Sequence, residues 1–170
     1  MRSYNNKFNF ICILQEKKIK NLTYIKPIIK IITDNEGSHT RVINYLSKTD
    51  TTIKTSQLKD RNIKRRIRYV WLETSLYTNI TFARSLWNIQ NNKSILKQQN
   101  NYMPIGQLFI KNKSDIHKEI NEIYICYCKD LEKKLKFSGI IWGRKYILNQ
   151  KNNSYVMIQE FFSPNLMFFN

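Results

Sequence analysis

Metal and redox chemistry have little to work with in this sequence. Its 170 residues include two histidines and three cysteines. Cys12, Cys126 and Cys128 are too few and too badly spaced for a structural zinc site, and their odd number completes no disulfide framework. Cys126 and Cys128 form C-x-C, which on a strand places both on one face, where they read as small buried hydrophobes in a reducing compartment. Four glycines and three prolines leave the chain lightly punctuated, with no Gly-rich phosphate loop, internal repeat or Ser/His/Asp arrangement. The early apolar run FICIL at 10–14 falls far short of the ~20 residues that a membrane helix needs. The start of the chain lacks the charged, apolar and small-residue order of a signal peptide.

Acid is also scarce. Twelve Asp and Glu stand against 29 Lys and Arg, for a formal charge of +17, and residues 1–70 alone carry 16 basic and 5 acidic residues. Such a balance draws in anions, either nucleic acid or a small dianionic substrate. The abundance of Ile, Asn, Lys and Tyr also follows from AT-rich codons, as in an organelle genome, so charge alone points weakly to nucleic acid. The basic run Arg61, Lys64, Arg65 and Arg66 reads as a solvated strand entry. With no aromatic-basic motif of an RNA-recognition sheet present, nucleic-acid binding ranks last among the readings.

What the sequence does have is one hairpin-like stretch, Gly139 to Pro164. The runs IIWGRKYIL and SYVMIQEFF are rich in strand formers and flank a polar turn at 149–153. Alternation puts Val156, Ile158, Glu160 and Phe162 on one side, so a carboxylate sits on an apolar face. It needs a partner or something to titrate. Upstream, RRIRYVWL at 65–72 sets Arg68 in line with Val70 and Leu72, and Arg68 is the candidate to face Glu160. Two readings stay open at this point: a buried structural ion pair, or a pocket for an anion.

The rest of the chain supplies a scaffold. Residues 1–20 read as a helix or arm, and 22–32 as an apolar segment with Pro27 marking a helix start or an edge. The turn TDNEGSHT leads to Ser38, an N-cap signal for a short helix over Arg41 to Leu46. A histidine in such a turn, here His39, is expected to be solvated. Strands are expected over 51–60, 65–74 and 79–85, short helices in the polar connector 86–101, and a turn at Pro104–Gly106 where backbone can approach a ligand. Ile120 to Cys128 reads as a strand and Leu131 to Lys136 as a helix.

Taken together, RYVWL at 68–72, FARS at 82–85, PIGQLF at 104–109, WGRK at 142–145, QEFFSP at 159–164 and GSHTR at 37–41 resemble the chorismate pyruvate-lyase family, including its plastid-encoded algal members. Order and spacing match over about residues 30–165. The resemblance implies one α+β domain over 1–170, built on a six-stranded antiparallel sheet with short helices on one side and an enclosed ligand pocket. It implies the cofactor-free and metal-free conversion of chorismate to 4-hydroxybenzoate and pyruvate, feeding quinone (plastoquinone) synthesis in the plastid stroma. Arg68 corresponds to the arginine that grips the ring carboxylate, and Glu160 to the glutamate at the ring oxygen. His39 and Ile105 align with positions whose backbone N–H groups reach the same carboxylate. Tyr69 departs from the pattern, since an acidic residue commonly follows the arginine. A small anionic substrate, no membrane span and a monomer are the expected associations. A non-catalytic ligand-binding protein of the same fold is the alternative.

Overall fold

A computed structural model describes residues 7–15, 27–59, 65–75, 79–88, 104–111, 115–150 and 155–168. Within them, seven strands form a single antiparallel sheet: β1 (Asn9–Gln15), β2 (Thr52–Lys59), β3 (Arg65–Glu73), β4 (Thr81–Asn88), β5 (Ile116–Tyr127), β6 (Ile141–Gln150) and β7 (Tyr155–Phe162), in the order β1-β5-β6-β7-β4-β3-β2. Four short helices accompany it: α1 (Pro27–Thr33), α2 (His39–Ser47), α3 (Ile105–Lys111) and α4 (Lys129–Leu135). A 3₁₀ turn at Pro164–Phe168 follows β7.

The expected hairpin is present as β6 and β7, its turn at 151–154 lying outside the described residues. The sheet has one strand more than expected, because the segment read as a helix or arm is strand β1, paired with β5 at the edge. Its FICIL run is β-branched and aromatic enough to extend the sheet, but Phe10, Ile11 and Ile13 remain exposed. The connector read as helical from Leu86 begins instead as the last turn-free residues of β4, and 89–100 lie outside the described residues. The Pro104–Gly106 turn is the start of helix α3, with the Leu108 N–H donating to the Pro104 carbonyl at 3.2 Å.

Period-2 alternation divides the core into two layers. One face carries Trp71, Phe82, Tyr124, Cys126, Ile141 and Phe161, covered by Leu131 and Leu135 of α4. The helices are therefore not confined to one side, as expected; α4 follows β5 directly and folds its two leucines beneath that strand. Gly143 on this face lets Phe161 lie against β6, because a Cβ there would stand 2.6 Å from the Glu160 carbonyl oxygen and 2.8 Å from the Phe161 ring. Beside this core runs a polar chain. Arg84 donates to Gln159, Gln159 to Tyr124 at 2.9 Å, and Tyr124 to Glu122 at 2.7 Å, with Lys145 closing on Glu122 at 2.8 Å.

The opposite face holds two apolar clusters. Leu108 and Phe109 of α3 pack with Trp87, Ile120, Tyr146, Leu148, Val156 and Ile158. Ile32 of α1 and Ile43 of α2 pack with Leu72, Ile80, Phe162 and Leu166. Burying the larger of these side chains stabilises by ~1.5–3 kcal/mol each. Between the two clusters lies a polar strip.

Candidate functional site

The strip is built by register. Val70, Ala83, Glu160 and Arg144 lie in one row across β3, β4, β7 and β6. The next row holds Arg68, Ser85, Ile158 and Tyr146. Both rows sit on the face covered by α1, α2 and α3. Arg68 and Glu160 are thus on one face, as alternation required, and both are buried.

They do not face each other. Val70, not Arg68, shares Glu160's row, and the side chain opposite Glu160 is Arg144, from WGRK. Arg144 Nε donates to Glu160 Oε2 at 2.8 Å, and the Tyr146 hydroxyl donates to Oε1 at 2.8 Å. Burial alone would raise the Glu160 carboxyl. The Arg144 guanidinium, helped by His39 once protonated, by Lys118 and by the Tyr146 hydroxyl, outweighs burial and holds the carboxyl at about 2. Glu160 is a carboxylate at neutral pH.

Arg144 also ties the sheet to its cover. Nη1 donates to the carbonyls of Ile32 at 2.8 Å, Thr33 at 3.2 Å and Asn35 at 2.8 Å, the end of α1 and the turn after it. Those of Ile32 and Thr33 are carbonyls that a helix end leaves without intrahelical partners, and a cation there suits the helix dipole. Lys118 of β5 reaches the same turn, with Nζ 2.8 Å from the Asn35 oxygen and 3.3 Å from that of Gly37. Its ammonium lies 4.3 Å above the Tyr146 ring. Burial first, and then Arg144, lower it to about 8.

His39 is buried rather than solvated, because α2 turns its first side chain inward. Its Nε2 lies 3.0 Å from the Thr81 hydroxyl, and its ring tilts against Phe162 at 4.9 Å. Burial lowers it to about 4, so the imidazole is neutral. Ser38 caps α2 as expected, its hydroxyl accepting from Arg41 N at 3.4 Å. Ile105 opens α3 and packs beside the Leu108 cluster, on the same face. Burial lowers Arg68 to about 10, still a cation at neutral pH. Tyr69, the departure from the family pattern, points to the other face and stacks on Phe82 at 6.2 Å. It therefore has no part in this strip.

Arg144, Tyr146 and Lys118 are the members that sequence reasoning missed. Alternation along WGRKY places Trp142, Arg144 and Tyr146 together, which was the available signal; what it could not give is the register that sets Arg144 against Glu160. Among the described residues, no three His, Cys, Asp or Glu gather as metal ligands, and no helix is long and apolar enough to cross a membrane.

A family model described as chorismate pyruvate-lyase Rv2949c-like matches residues 31–170. Uncharacterized protein ycf21 of the alga Antithamnion sp. is 41% identical over 135 residues, covering 78% of this chain and 75% of that protein. Uncharacterized protein ycf21 of Porphyra purpurea is 32% identical over 170 residues, covering 94% and 97%. Among solved structures, the effector domain of PhnF from Mycobacterium smegmatis aligns with a TM-score of 0.56 at 7% identity, covering 77% of this chain and 91% of that domain. Against the chain in a structure of PhnF from the same organism the score is the same, but the match spans 65% of it. The likeness to PhnF is one of fold. The family model spans most of the chain and the relatives exceed 30% identity over most of its length, so the chain belongs to the chorismate pyruvate-lyase Rv2949c-like family.

Proposed function

We propose that the protein is a chorismate pyruvate-lyase acting in the plastid, and that its pocket lies over the strip holding Arg68 and Glu160. The observation that carries the reading is a buried guanidinium and an ionised, buried carboxylate on one face, with apolar clusters on either side. Chorismate suits such a strip, being an apolar ring with a carboxylate at one end and a hydroxyl at the other. Family membership supports the reaction, and the algal ycf21 relatives support the setting, where 4-hydroxybenzoate would feed quinone synthesis.

The reaction breaks the bond between the ring carbon and the enolpyruvyl oxygen. The hydrogen on the adjacent hydroxyl-bearing carbon leaves the ring, and the departing enol gains a proton at its methylene to become pyruvate. The ring becomes aromatic, so orientation and charge placement are the main tasks of the protein. Arg68 grips the ring carboxylate, with backbone N–H groups at His39 and Ile105 as further donors. Each Glu160 oxygen already accepts one protein hydrogen bond and keeps capacity for another. At neutral pH Glu160 accepts from the ring hydroxyl and does not act as an acid. The apolar clusters exclude water from the departing oxygen. No step calls for a metal or cofactor.

The test is incubation of purified protein with chorismate, following 4-hydroxybenzoate by chromatography, with Arg68→Ala as control. Product that disappears in Arg68→Ala is expected; folded wild-type protein that makes none overturns the lyase reading. Tight binding of 4-hydroxybenzoate without turnover would favour the second reading, a ligand-holding module. The ionised and doubly hydrogen-bonded Glu160 suits that role equally well.

A further inference from the structure

Chorismate carries two carboxylates, and Arg68 accounts for one. Near Glu160 the structure gathers two cations: Arg144 is bonded to Glu160, and Lys118 feels the Glu160 and Glu36 carboxylates only through space. Arg144 Nη1 and Lys118 Nζ each lie 2.8 Å from the same Asn35 oxygen, so the two cations stand no farther apart than the sum of those two distances. Like charges this close repel, and burial removes the water that would screen them. Glu160 offsets one of them directly, through Arg144 Nε. Arg144 is fully buried, yet its Nη2 has no hydrogen-bond partner. A buried donor left unmatched has lost its water without gaining a partner, a cost that an anion at that point would recover. Lys118 keeps a third N–H beyond the two directed at Asn35 and Gly37.

We propose that Lys118 Nζ and Arg144 Nη2 form the contact for the second carboxylate of the substrate, the one on the enolpyruvyl arm. The inference rests on the lyase reading and deepens it by separating substrate from product. Chorismate is a dianion that uses both contacts, whereas 4-hydroxybenzoate has lost the arm and uses Arg68 alone. Pyruvate leaves with its own carboxylate. Lys118 is then a specificity-determining residue, because it favours the dianion over the monoanion that the reaction leaves behind. A merely structural Lys118, capping two carbonyls, would affect both ligands alike.

The experiment compares wild-type protein, Lys118→Met and Lys118→Gln in binding chorismate and 4-hydroxybenzoate, by calorimetry and, where turnover occurs, by KM. Gln removes the charge but can still donate to the Asn35 and Gly37 carbonyls, so it reports on the charge if Met does not fold. A lost charge-assisted bond predicts ~10-fold or more weaker chorismate binding in both variants, with 4-hydroxybenzoate affinity changed by less than ~2-fold. Equal weakening of the two ligands, or no change in either for Lys118→Gln, overturns the inference. Wild-type protein that binds chorismate without converting it would sink the lyase reading and leave this comparison intact. Wild-type protein that binds 4-hydroxybenzoate but not chorismate overturns the inference.

Discussion

Arg144 Nε and Glu160 Oε2 stand 2.8 Å apart on directly opposed residues of β6 and β7, both side chains buried. The pair is also the junction between sheet and cover, since the same guanidinium holds three carbonyls at the end of α1. Breaking it from one side leaves an uncompensated buried charge. Arg144→Met should therefore lower unfolding free energy by ~3–5 kcal/mol in urea titration. Adding Glu160→Gln should restore part of that loss, because the stranded charge is gone. Losses that simply add in the double variant would contradict a direct interaction.

Acid should unfold the protein in two stages. The His39 imidazole is lowered from 6.5 to about 4, and the Glu160 carboxyl from 4.5 to about 2. In both cases the unfolded chain binds the proton first, so stability falls as pH falls, over 6.5 to 4 for His39 and 4.5 to 2 for Glu160. Each group steepens the decline by at most ~1.4 kcal/mol per pH unit within its window. Melting temperatures of wild type and His39→Gln, followed from pH 7 to 4, check the upper stage. The variant curve should be flatter there; parallel curves would mean that His39 is not buried neutral.

Alternation alone carried much of this architecture. Glu160 and Arg68 on apolar faces, the 139–164 hairpin and the Ser38 cap all depend on near neighbours in sequence, and the structure has them. What alternation cannot carry is register between strands distant in sequence. That is why sequence alone sets Arg68 against Glu160, although Val70 occupies the row and Arg144 makes the bond. The side of the sheet taken by α4 was hidden for a related reason: a seven-residue helix shows its apolar face but not which layer it will cover. His39 is buried against expectation because a capping turn reads as polar, while the tertiary fold supplies it with Thr81 and Phe162.

The three thiols should differ sharply in reactivity. Cys126 and Cys128 are buried in the core covered by α4, and burial pushes Cys126 up to about 12 and raises Cys128 as well. Cys12 on β1 is half-buried. Thiolate is the reactive form, so a disulfide reagent under native conditions at neutral pH should titrate one thiol quickly and three after denaturation. Cys12→Ser should abolish the fast phase. Fast labelling of three thiols in the native protein would contradict the packing of α4.

Gly143 and Gly106 offer a paired test of close packing. A Cβ at Gly143 would meet the Glu160 carbonyl oxygen at 2.6 Å and the Phe161 ring at 2.8 Å, and the backbone atom cannot yield without parting β6 from β7. Gly143→Ala should cost ~1–3 kcal/mol, as overpacking does. It should also impair any turnover, since Glu160 moves with its own backbone. Gly106 is exposed inside α3, and a Cβ there meets nothing within 4 Å. Gly106→Ala should instead stabilise by ~0.5–1 kcal/mol, from helix propensity. Opposite shifts in the two denaturation midpoints are the expected result. A Gly143→Ala midpoint at or above that of wild type would mean that β6 and β7 do not approach at Gly143 as closely as the register requires.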